Sequence, residues 1–466
     1  MIQPVFRLRI ALAVLVSCLV ASSAWGASLL ARQEKPDRAS RALERVLGDL
    51  DEQRASVIAI QRELVARPAI SPYDGGEGEQ AKALWIEGWL REKRLPQAER
   101  IDVPDDRVPA RLRPNLIVRY PGASSGSENA GRTLWIVSHL DVSPPGPLEN
   151  WTASPWVLRV DGDMIYGRGV GDKHQAIVSA LLLMESLARN EARPPLSLGL
   201  VLTSGEKTDL PPKYGISEVL RSRRDIFRPG DLIVVNAYGN AQGTLIDVAE
   251  KDILWLRITV NGRQTYSFAP NLGKNALEAG AALIMDLRGL SKRFPAENAL
   301  FAPPVSTFAV TRPESEEMSV NQIPGTFIFH LDCRLLPGYT TDAVEADVRQ
   351  LADAAEKRDG VSIRIERIHE RGGASVPTSP DAPVVRALAR AVYAQFRREA
   401  KPVGMGGVSQ AFSLRAAGLP VAVWTIMGDS WAMADERIPI SAQIDAAKIF
   451  ARILFDPEAR ETAPLP

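Results

Sequence analysis

Short, almost continuous apolar segments recur along the first half of the chain and are separated by stretches with helical spacing. The apolar segments are residues 133–139, 197–203 and 231–236. The stretch between the first two places five apolar side chains on one helix face: Ile177, Ala180, Leu181, Met184 and Leu187. Buried strands that alternate with amphipathic helices are typical of a parallel sheet covered on both sides. The pattern therefore predicts an α/β domain with a mostly parallel sheet sandwiched between helices.

From about residue 250 the pattern changes to alternating, half-exposed strands. The predicted elements follow the order β-α-β-β-α-β: 253–260, 275–290, 305–312, 326–334, 342–358 and 361–369. This order is that of a ferredoxin-like α+β unit. The α/β pattern then returns with a helix, a strand and a final helix: 382–397, 421–427 and 442–455. We therefore predict one α/β domain, residues 27–249 and 371–466, with a ferredoxin-like domain inserted at residues 250–370.

The N-terminal segment has the layout of an export signal. Arg7 and Arg9 precede an apolar run that ends shortly before a small-x-small cleavage site, Ala-Trp-Gly. This run is too short for a transmembrane anchor. We predict a signal peptide at residues 1–26 and an exported protein, either periplasmic or secreted. A lipoprotein cleavage box also fits, and the alternative is a lipid anchor on Cys18.

Composition and charge restrict the possible partners. The chain of 466 residues has 56 basic and 56 acidic side chains, so its formal net charge is zero. A large basic surface is therefore absent, and we expect no nucleic-acid partner. After signal cleavage Cys333 is the only cysteine. An intrachain disulfide is then impossible, so apolar cores must stabilise the fold.

Polar side chains follow the apolar segments where the predicted strands end. His139 closes the first segment, Asp141 lies two residues later, and Glu206 follows the second segment. Asp172 lies between them in a Gly-rich stretch. Ligand sites in open α/β sheets form beyond the carboxyl ends of the strands. A His, an Asp and a Glu at these places and spacings resemble the site of a zinc-dependent amide hydrolase.

Several longer stretches strengthen that resemblance. The chain resembles the zinc metallopeptidase family of aminoacylases, glutamate carboxypeptidases and dipeptidases, and is most similar to the carboxypeptidase S-like branch. The matching stretches run from about residue 135 to 440: SHLDV (138–142), NWTASPWVLRVDGDMIYGRGVGDK (150–173), DVAEKDILWLRITVNG (247–262), PNLGKNAL (270–277), DCRLLPG (332–338) and ADERIPI (434–440). The resemblance implies a dizinc site in the α/β domain and a ferredoxin-like lid that often mediates dimerisation.

The resemblance also implies roles for individual residues. His139 matches the first metal ligand, and Asp172 matches the carboxylate that bridges both metals. Asp141 matches the acid that orients the histidine, and Glu206 matches the general base. In the lid, two residues match substrate-contacting positions of the family: Asn275 and Arg334. The alternative for Arg334 is a salt bridge within its strand.

The other expected metal ligands are replaced. The second carboxylate of a Glu-Glu pair is Lys207, the acid after the next strand falls on Asn236 or Ala237, and the last histidine is Ala432. A lid histidine is replaced as well, by Tyr266. A catalytic zinc normally keeps three protein ligands, so we expect zinc binding to be weak or absent. The Lys207 ammonium could replace the metal by a salt bridge to Asp172.

Two alternatives remain open at this site. Shifting the register by one residue would make Glu206 the metal ligand and Gly205 the lost base. His174 could serve as a substitute ligand, or it could be a solvated or helix-capping histidine.

The sequence thus supports two hypotheses for function. In the first, the protein is an exported family homologue that has lost its dizinc centre and acts as a binding or scaffold protein, whose ligand, if it has one, is a small peptide or acyl-amino acid held by Arg334 and Asn275. In the second, it hydrolyses peptides or N-acyl amino acids with one metal or with substitute ligands. Both hypotheses allow a homodimer that forms through the lid.

Overall fold

A computed structural model of the protein describes residues 37–123, 131–207, 213–314, 319–372 and 376–458. The predicted signal peptide and the alternative anchor residue Cys18 lie outside these residues. Among the helices in the described ranges, none is both long and apolar enough to cross a membrane.

The helices and strands are numbered in chain order. The helices are α1 (Arg38–Asp51), α2 (Arg54–Val65), α3 (Gln80–Glu92), α4 (His174–Arg189), α5 (Ile216–Ser222), α6 (Ala276–Leu287), α7 (Leu290–Arg293), α8 (Thr341–Asp359), α9 (Pro383–Phe396), α10 (Gln410–Ala416) and α11 (Ile440–Phe455). The strands are β1 (Glu99–Pro104), β2 (Leu112–Tyr120), β3 (Thr133–His139), β4 (Arg159–Asp161), β5 (Met164–Tyr166), β6 (Ser197–Thr203), β7 (Leu232–Val235), β8 (Leu245–Glu250), β9 (Asp252–Asn261), β10 (Thr265–Tyr266), β11 (Thr307–Glu314), β12 (Gln322–Ile323), β13 (Thr326–Leu335), β14 (Ser362–Arg371), β15 (Lys401–Met405), β16 (Val421–Val423) and β17 (Arg437–Pro439).

The main sheet has eight strands in the order β1-β2-β6-β3-β7-β16-β8-β15. Strands β6, β3, β7 and β16 are mutually parallel, whereas β1 and β2 extend the sheet in antiparallel fashion. Alternate side chains of β3 enter different cores. Leu134 and Ile136 pack with helices α4 and α11, whereas Trp135 and Val137 pack with α5 and α10. The predicted α/β class, a largely parallel sheet with helices on both faces, is confirmed.

The second sheet is antiparallel, with strand order β11-β13-β9-β14. Helices α6 and α8 cover one face, so the unit has the predicted β-α-β-β-α-β order and a core of its own. Leu254 and Leu256 of β9 point into that core, whereas the alternate residues point to the opposite face. We call this unit, residues 252–371, the lid. The domain limits given in the sequence analysis remain predictions.

A buried cluster of charges lies where the main sheet meets the lid. The Arg415 guanidinium is 3.7 Å from Asp247 Oδ2 and 3.5 Å from Glu250 Oε2. Glu250 Oε1 accepts a hydrogen bond of 3.0 Å from the backbone N–H of Ser409. Burial, together with the Glu250 charge and despite Arg415, raises the pKa of Asp247 to about 8. One guanidinium therefore faces two carboxylates, and a proton on the pair relieves their repulsion.

This cluster predicts how stability depends on pH. Because the pKa of Asp247 is raised on folding, its protonation favours the native state at low pH, and this contribution is lost as the pH rises from about 4 through about 8. Asp247→Asn removes the surplus charge and can still accept the backbone hydrogen bonds from Ala249 and Met405. We expect its Tm to fall less than that of the natural protein between pH 6 and pH 9. The Tm of Asp429→Asn, a control at an exposed residue, should fall with pH as much as that of the natural protein. If the Tm of Asp247→Asn fell equally, the assignment of the raised pKa to Asp247 would be contradicted.

Candidate functional site

The carboxyl ends of the central strands bring the predicted site residues together. In the parallel ladder His139 lies opposite Thr203, and Val137 lies opposite Val235. The segments that follow β3, β6 and β7 therefore leave the sheet side by side. After β6 the chain turns at Gly205, whose φ of 70° is in the left-handed region that favours glycine. This turn places Glu206 and Lys207 over the end of β3.

The buried Asp141 carboxylate holds this turn and His139 in place. Its Oδ1 is 3.0 Å from His139 Nδ1, and its Oδ2 accepts hydrogen bonds from the backbone N–H groups of Glu206, at 3.1 Å, and Lys207, at 2.8 Å. Burial alone would raise the pKa of Asp141, but His139 and these N–H groups lower it to about 2. The histidine-orienting contact that the resemblance implies is therefore present in the structure.

Asp172 is held by two ammonium groups. Lys207 Nζ is 2.7 Å from Asp172 Oδ2, the contact that the sequence analysis considered possible. Lys173 Nζ is 3.2 Å from the other oxygen, an ion contact without hydrogen-bond geometry. Burial opposes ionisation, but the charges of Lys173 and Lys207 outweigh it and hold the pKa of Asp172 far below its ordinary value. Asp172 is thus a carboxylate whose two oxygens face internal cations.

Asn236 is hydrogen-bonded to Lys173, one of the two lysines that contact Asp172. Its backbone carbonyl accepts a hydrogen bond of 2.8 Å from Lys173 Nζ, and its side-chain Nδ2 donates to Thr425 Oγ1 at 2.8 Å. Its Oδ1 is buried and has no hydrogen-bond partner among the described residues. Ala237 packs at the edge of the core that contains α5 and α10.

The Glu206 carboxylate connects strand β6, helix α5 and the lid. Its Oε1 accepts hydrogen bonds from Thr203 Oγ1, at 3.2 Å, and from the backbone N–H of Ile216, at 2.8 Å. Its Oε2 is 3.7 Å from the guanidinium of Arg371 in the lid. A general base needs an oxygen that can reach the proton it removes. Here one oxygen holds the start of α5, and the other faces a cation.

The loop that carries Ala432 lies beside these residues. The neighbouring Trp431 ring packs against Lys207, with Nζ 5.2 Å from the ring centroid. Ala432 itself is exposed and has a left-handed φ of 58°, a conformation that histidine tolerates better than most residues do. Ala432 therefore follows a residue that contacts Lys207, and it carries a methyl group where the resemblance implies a metal ligand.

His174 turns away from this site. It is fully buried, with Nε2 2.8 Å from Lys82 Nζ and Nδ1 3.3 Å from Gln61 Oε1. Burial, reinforced by the Lys82 charge, keeps the pKa of His174 well below its ordinary value. The expectation of a solvated or capping histidine is therefore wrong. The alternative of a substitute metal ligand gains no support, because both ring nitrogens already face protein groups.

Arg334 and Asn275, the two predicted substrate-contacting residues of the lid, both have partners within the protein. Arg334 forms two contacts with Asp332, of 2.6 and 2.9 Å, which is the strand salt bridge left open in the sequence analysis. Asn275 Oδ1 caps helix α6 by accepting from the N–H groups of Leu277 and Glu278. Their roles in substrate binding remain predictions. Tyr266, where the resemblance implies a lid histidine, is half exposed and stacks on a neighbouring phenylalanine.

A cleft of about 440 Å³ separates the lid from the end of the main sheet. It is lined by Tyr73, Asp74, Glu206, Lys207, Ile253, Trp255, Arg334, His369, Arg371, Gly407 and Val408. Burial and the nearby arginines lower the pKa of His369 to about 4, so this ring is neutral at physiological pH. The sequence analysis missed Trp255, His369 as a cleft residue, and Arg371. Strand alternation could have suggested Trp255. The side chains of His369 and Arg371 face the cleft only because the register of β14 shifts between Arg367 and His369.

The residues present do not fit a dizinc centre. Nowhere in the described ranges do three or more His, Cys, Asp or Glu side chains come together as a metal-binding group. The remaining donors are the His139 imidazole, the Asp172 carboxylate and the Asn236 amide oxygen. Zinc prefers three or four nitrogen, sulfur or carboxylate ligands. Two ammonium groups in contact with Asp172 oppose a dication there by direct repulsion.

Comparison with known proteins places this site in a family. An uncharacterised metallohydrolase of Methanocaldococcus jannaschii is 30% identical over 410 residues, covering 85% of this chain and 98% of its own. The succinyl-diaminopimelate desuccinylase of Verminephrobacter eiseniae is 26% identical over 361 residues, covering 75% and 84%. The crystal structure of human carnosine dipeptidase 1 superposes with a TM-score of 0.71 at 18% identity, covering 90% and 98%. The model of peptidase family M20/M25/M40 matches residues 135–456, and the chain belongs to that family.

Proposed function

We propose that this protein is an M20-family homologue that binds a ligand in the lid cleft without hydrolysing it. The observation that carries the proposal is the Lys207 ammonium, which lies 2.7 Å from Asp172 where the family places a metal-ligand carboxylate. A paired zinc centre supplies hydroxide near neutral pH and polarises the scissile carbonyl. The internal ion pair supplies neither, because an ammonium ion on a buried carboxylate activates no water.

The remaining catalytic group supports the same proposal. Glu206 matches the general base of the family, yet its two oxygens are directed to Ile216 and Arg371. Oε1 already accepts two hydrogen bonds, and a water bound at Oε2 would have to lie beside the Arg371 guanidinium. The site has therefore exchanged catalytic contacts for structural ones at both essential carboxylates.

The proposed ligand is a small peptide or an N-acyl amino acid. A cleft of about 440 Å³ lined by arginines, a tryptophan and a histidine suits a compact molecule with one anionic end. We also propose export to the periplasm or beyond, from the predicted signal segment. A homodimer through the lid is supported by exposed apolar side chains on that domain: Tyr266, Phe268, Leu272, Leu277 and Met285.

The second candidate function is a one-metal hydrolase. Two observations favour it: the retained His139–Asp141 pair, and the buried Asn236 Oδ1 without a described partner. Such a site would have to expel the Lys207 ammonium from Asp172 before it could hold a cation. The two candidates therefore differ in two measurable properties, zinc affinity and hydrolytic turnover.

We predict that the mature protein binds zinc weakly and does not cleave N-acyl amino acids. Calorimetric titration with zinc should give no site tighter than about 10 µM, well short of structural zinc sites, because two ammonium groups oppose the dication. Turnover of an N-acyl amino acid panel should stay at the background rate with or without added zinc. Stoichiometric zinc together with chelator-sensitive hydrolysis would establish the one-metal enzyme instead.

Restoring the lost ligands should recreate a metal site. We predict that the triple variant Lys207→Glu, Asn236→Asp and Ala432→His gains a zinc-dependent rise in Tm, because a ligand that binds only the folded state stabilises it. A parallel triple variant carries Ala237→Glu in place of Asn236→Asp. The control is the natural protein, whose Tm should not respond to zinc. If neither triple variant responds, these positions are not the vacated ligands.

The effect of removing the Lys207 charge on the free energy of unfolding should depend on whether Asp172 is present, which a double-mutant cycle can measure. Lys207→Met in the natural protein should lower the free energy of unfolding by about 2–4 kcal/mol, because it weakens the pairing of a buried carboxylate. In an Asp172→Asn background the same change should be neutral or stabilising, since it removes one of two facing ammonium groups. Urea unfolding of the four proteins measures both effects. Lys401→Met, at an exposed lysine, should stay within about 0.5 kcal/mol, and additive effects would show that the pair is not coupled.

A further inference from the structure

We propose that Arg371, and not Arg334, is the group that anchors the carboxylate of the bound ligand. This proposal deepens the proposed function, because it names the recognition element of the same cleft. It rests on how the lid strands present their side chains and on which cleft cation already has an internal partner.

Two rows of side chains cross the cleft face of the lid. Opposed residues in an antiparallel sheet share a face, and β9 lies between β13 and β14. The row nearest the main domain is Arg334, Ile253 and Arg371. The next row is Asp332, Trp255 and His369. The two arginines are two strands apart, which separates their backbones by about 10 Å.

A β-bulge directs Arg371 into the cleft. Before the bulge, Arg367 lies opposite Leu256 and faces the helices of the lid. The extra residue, Ile368, shifts the register, so that His369 lies opposite Trp255 and Arg371 lies opposite Ile253. Without the bulge, strict alternation would place both on the helix face. Bulges commonly re-aim side chains next to functional sites, and this one adds a cation and a ring to the cleft.

The two arginines differ in how far their charge is already satisfied. Arg334 holds Asp332 through Nε and Nη2, a bidentate pair that neutralises it within its own strand. Arg371 has a 3.7 Å ion contact with Glu206 Oε2 and lies near enough to Glu250 for its charge to act on that carboxylate, but it makes no side-chain hydrogen bond to any residue that the structure describes. Its side chain is nevertheless only 12% exposed. A mostly buried guanidinium without hydrogen bonds is a strong donor site for a carboxylate.

The surroundings of Arg371 define the rest of the ligand. Trp255 and His369 form a ring pair with centroids 4.7 Å apart, and His369 is neutral at physiological pH. Ile253 continues this surface towards Arg334. The chemistry that fits is a carboxylate attached to a planar or apolar group, such as an N-aroyl amino acid. Glu206 competes with the ligand for Arg371, so its charge limits affinity.

The test is a calorimetric titration with hippurate, an N-aroyl amino acid, and with hippuramide, its uncharged amide. The natural protein should bind hippurate and should bind hippuramide at least about tenfold more weakly, the effect expected for a charge-assisted hydrogen bond. Arg371→Gln should weaken hippurate binding by about tenfold or more. Arg334→Gln, the matched control from the same row, should change it by less than about threefold. Glu206→Gln should strengthen binding, because it removes the internal competitor.

The outcomes separate this proposal from the proposed function. Failure of hippurate to bind, equal binding of hippuramide, or a larger loss in Arg334→Gln than in Arg371→Gln would overturn it. Glu206→Gln leaves Arg371 in place, so it tests the proposal even if Arg371→Gln does not fold. None of these results depends on zinc, whereas the absence of catalysis in the proposed function is contradicted by stoichiometric zinc together with chelator-sensitive hydrolysis.

Discussion

A buried carboxylate must have a partner, and the site is built around how Asp172 meets this requirement. Asp172 lies at the carboxyl end of the main sheet and is almost fully buried. An isolated charge in such a place would cost several kcal/mol, so the chain must supply either a metal ion or a cation of its own. Lys207 and Lys173 supply it from within. Once they do, a dication has neither the ligands nor the electrostatic environment that it needs.

Two other buried carboxylates of this domain are also paired with cations of the chain itself. Glu79 and Arg113 form a fully buried ion pair, and the backbone N–H of Gly205 also donates to Glu79. Glu436 pairs with Arg168 behind Asp172, where burial, together with the Asp172 charge, raises the pKa of Glu436. The strand ends of this domain are thus held by internal ion pairs between buried side chains. This arrangement supports the proposal of a ligand-binding cleft in a member of peptidase family M20/M25/M40.

Much of this arrangement could be predicted from the sequence. The apolar segments predict the parallel sheet because fully buried strands leave no polar alternation. The replacement of a family carboxylate by Lys207 predicts its pairing with Asp172 because opposite charges at neighbouring strand ends attract. The β-α-β-β-α-β order of elements in the lid follows from alternation within 253–260 and from the patterns of the segments after it. These features depend on local patterns or on residues that the resemblance aligns.

The remaining features depend on contacts that no local pattern contains. His174 is buried because Lys82, from a helix about ninety positions earlier, reaches its ring. Arg371 faces the cleft because a single extra residue, Ile368, changes the register of β14. Glu206 Oε1 accepts a hydrogen bond from the backbone N–H of Ile216, and its Oε2 faces Arg371 of the lid. Tertiary contacts of this kind decide whether a retained residue still acts as the family residue does.

The most direct test of the central claim is a crystal structure of the mature protein grown with excess zinc, with diffraction data collected at the zinc absorption edge. We expect no anomalous peak within coordination distance of His139 and Asp172, and Lys207 Nζ should remain hydrogen-bonded to Asp172. An anomalous peak about 2.0–2.2 Å from both side chains, with Lys207 displaced, would contradict the account.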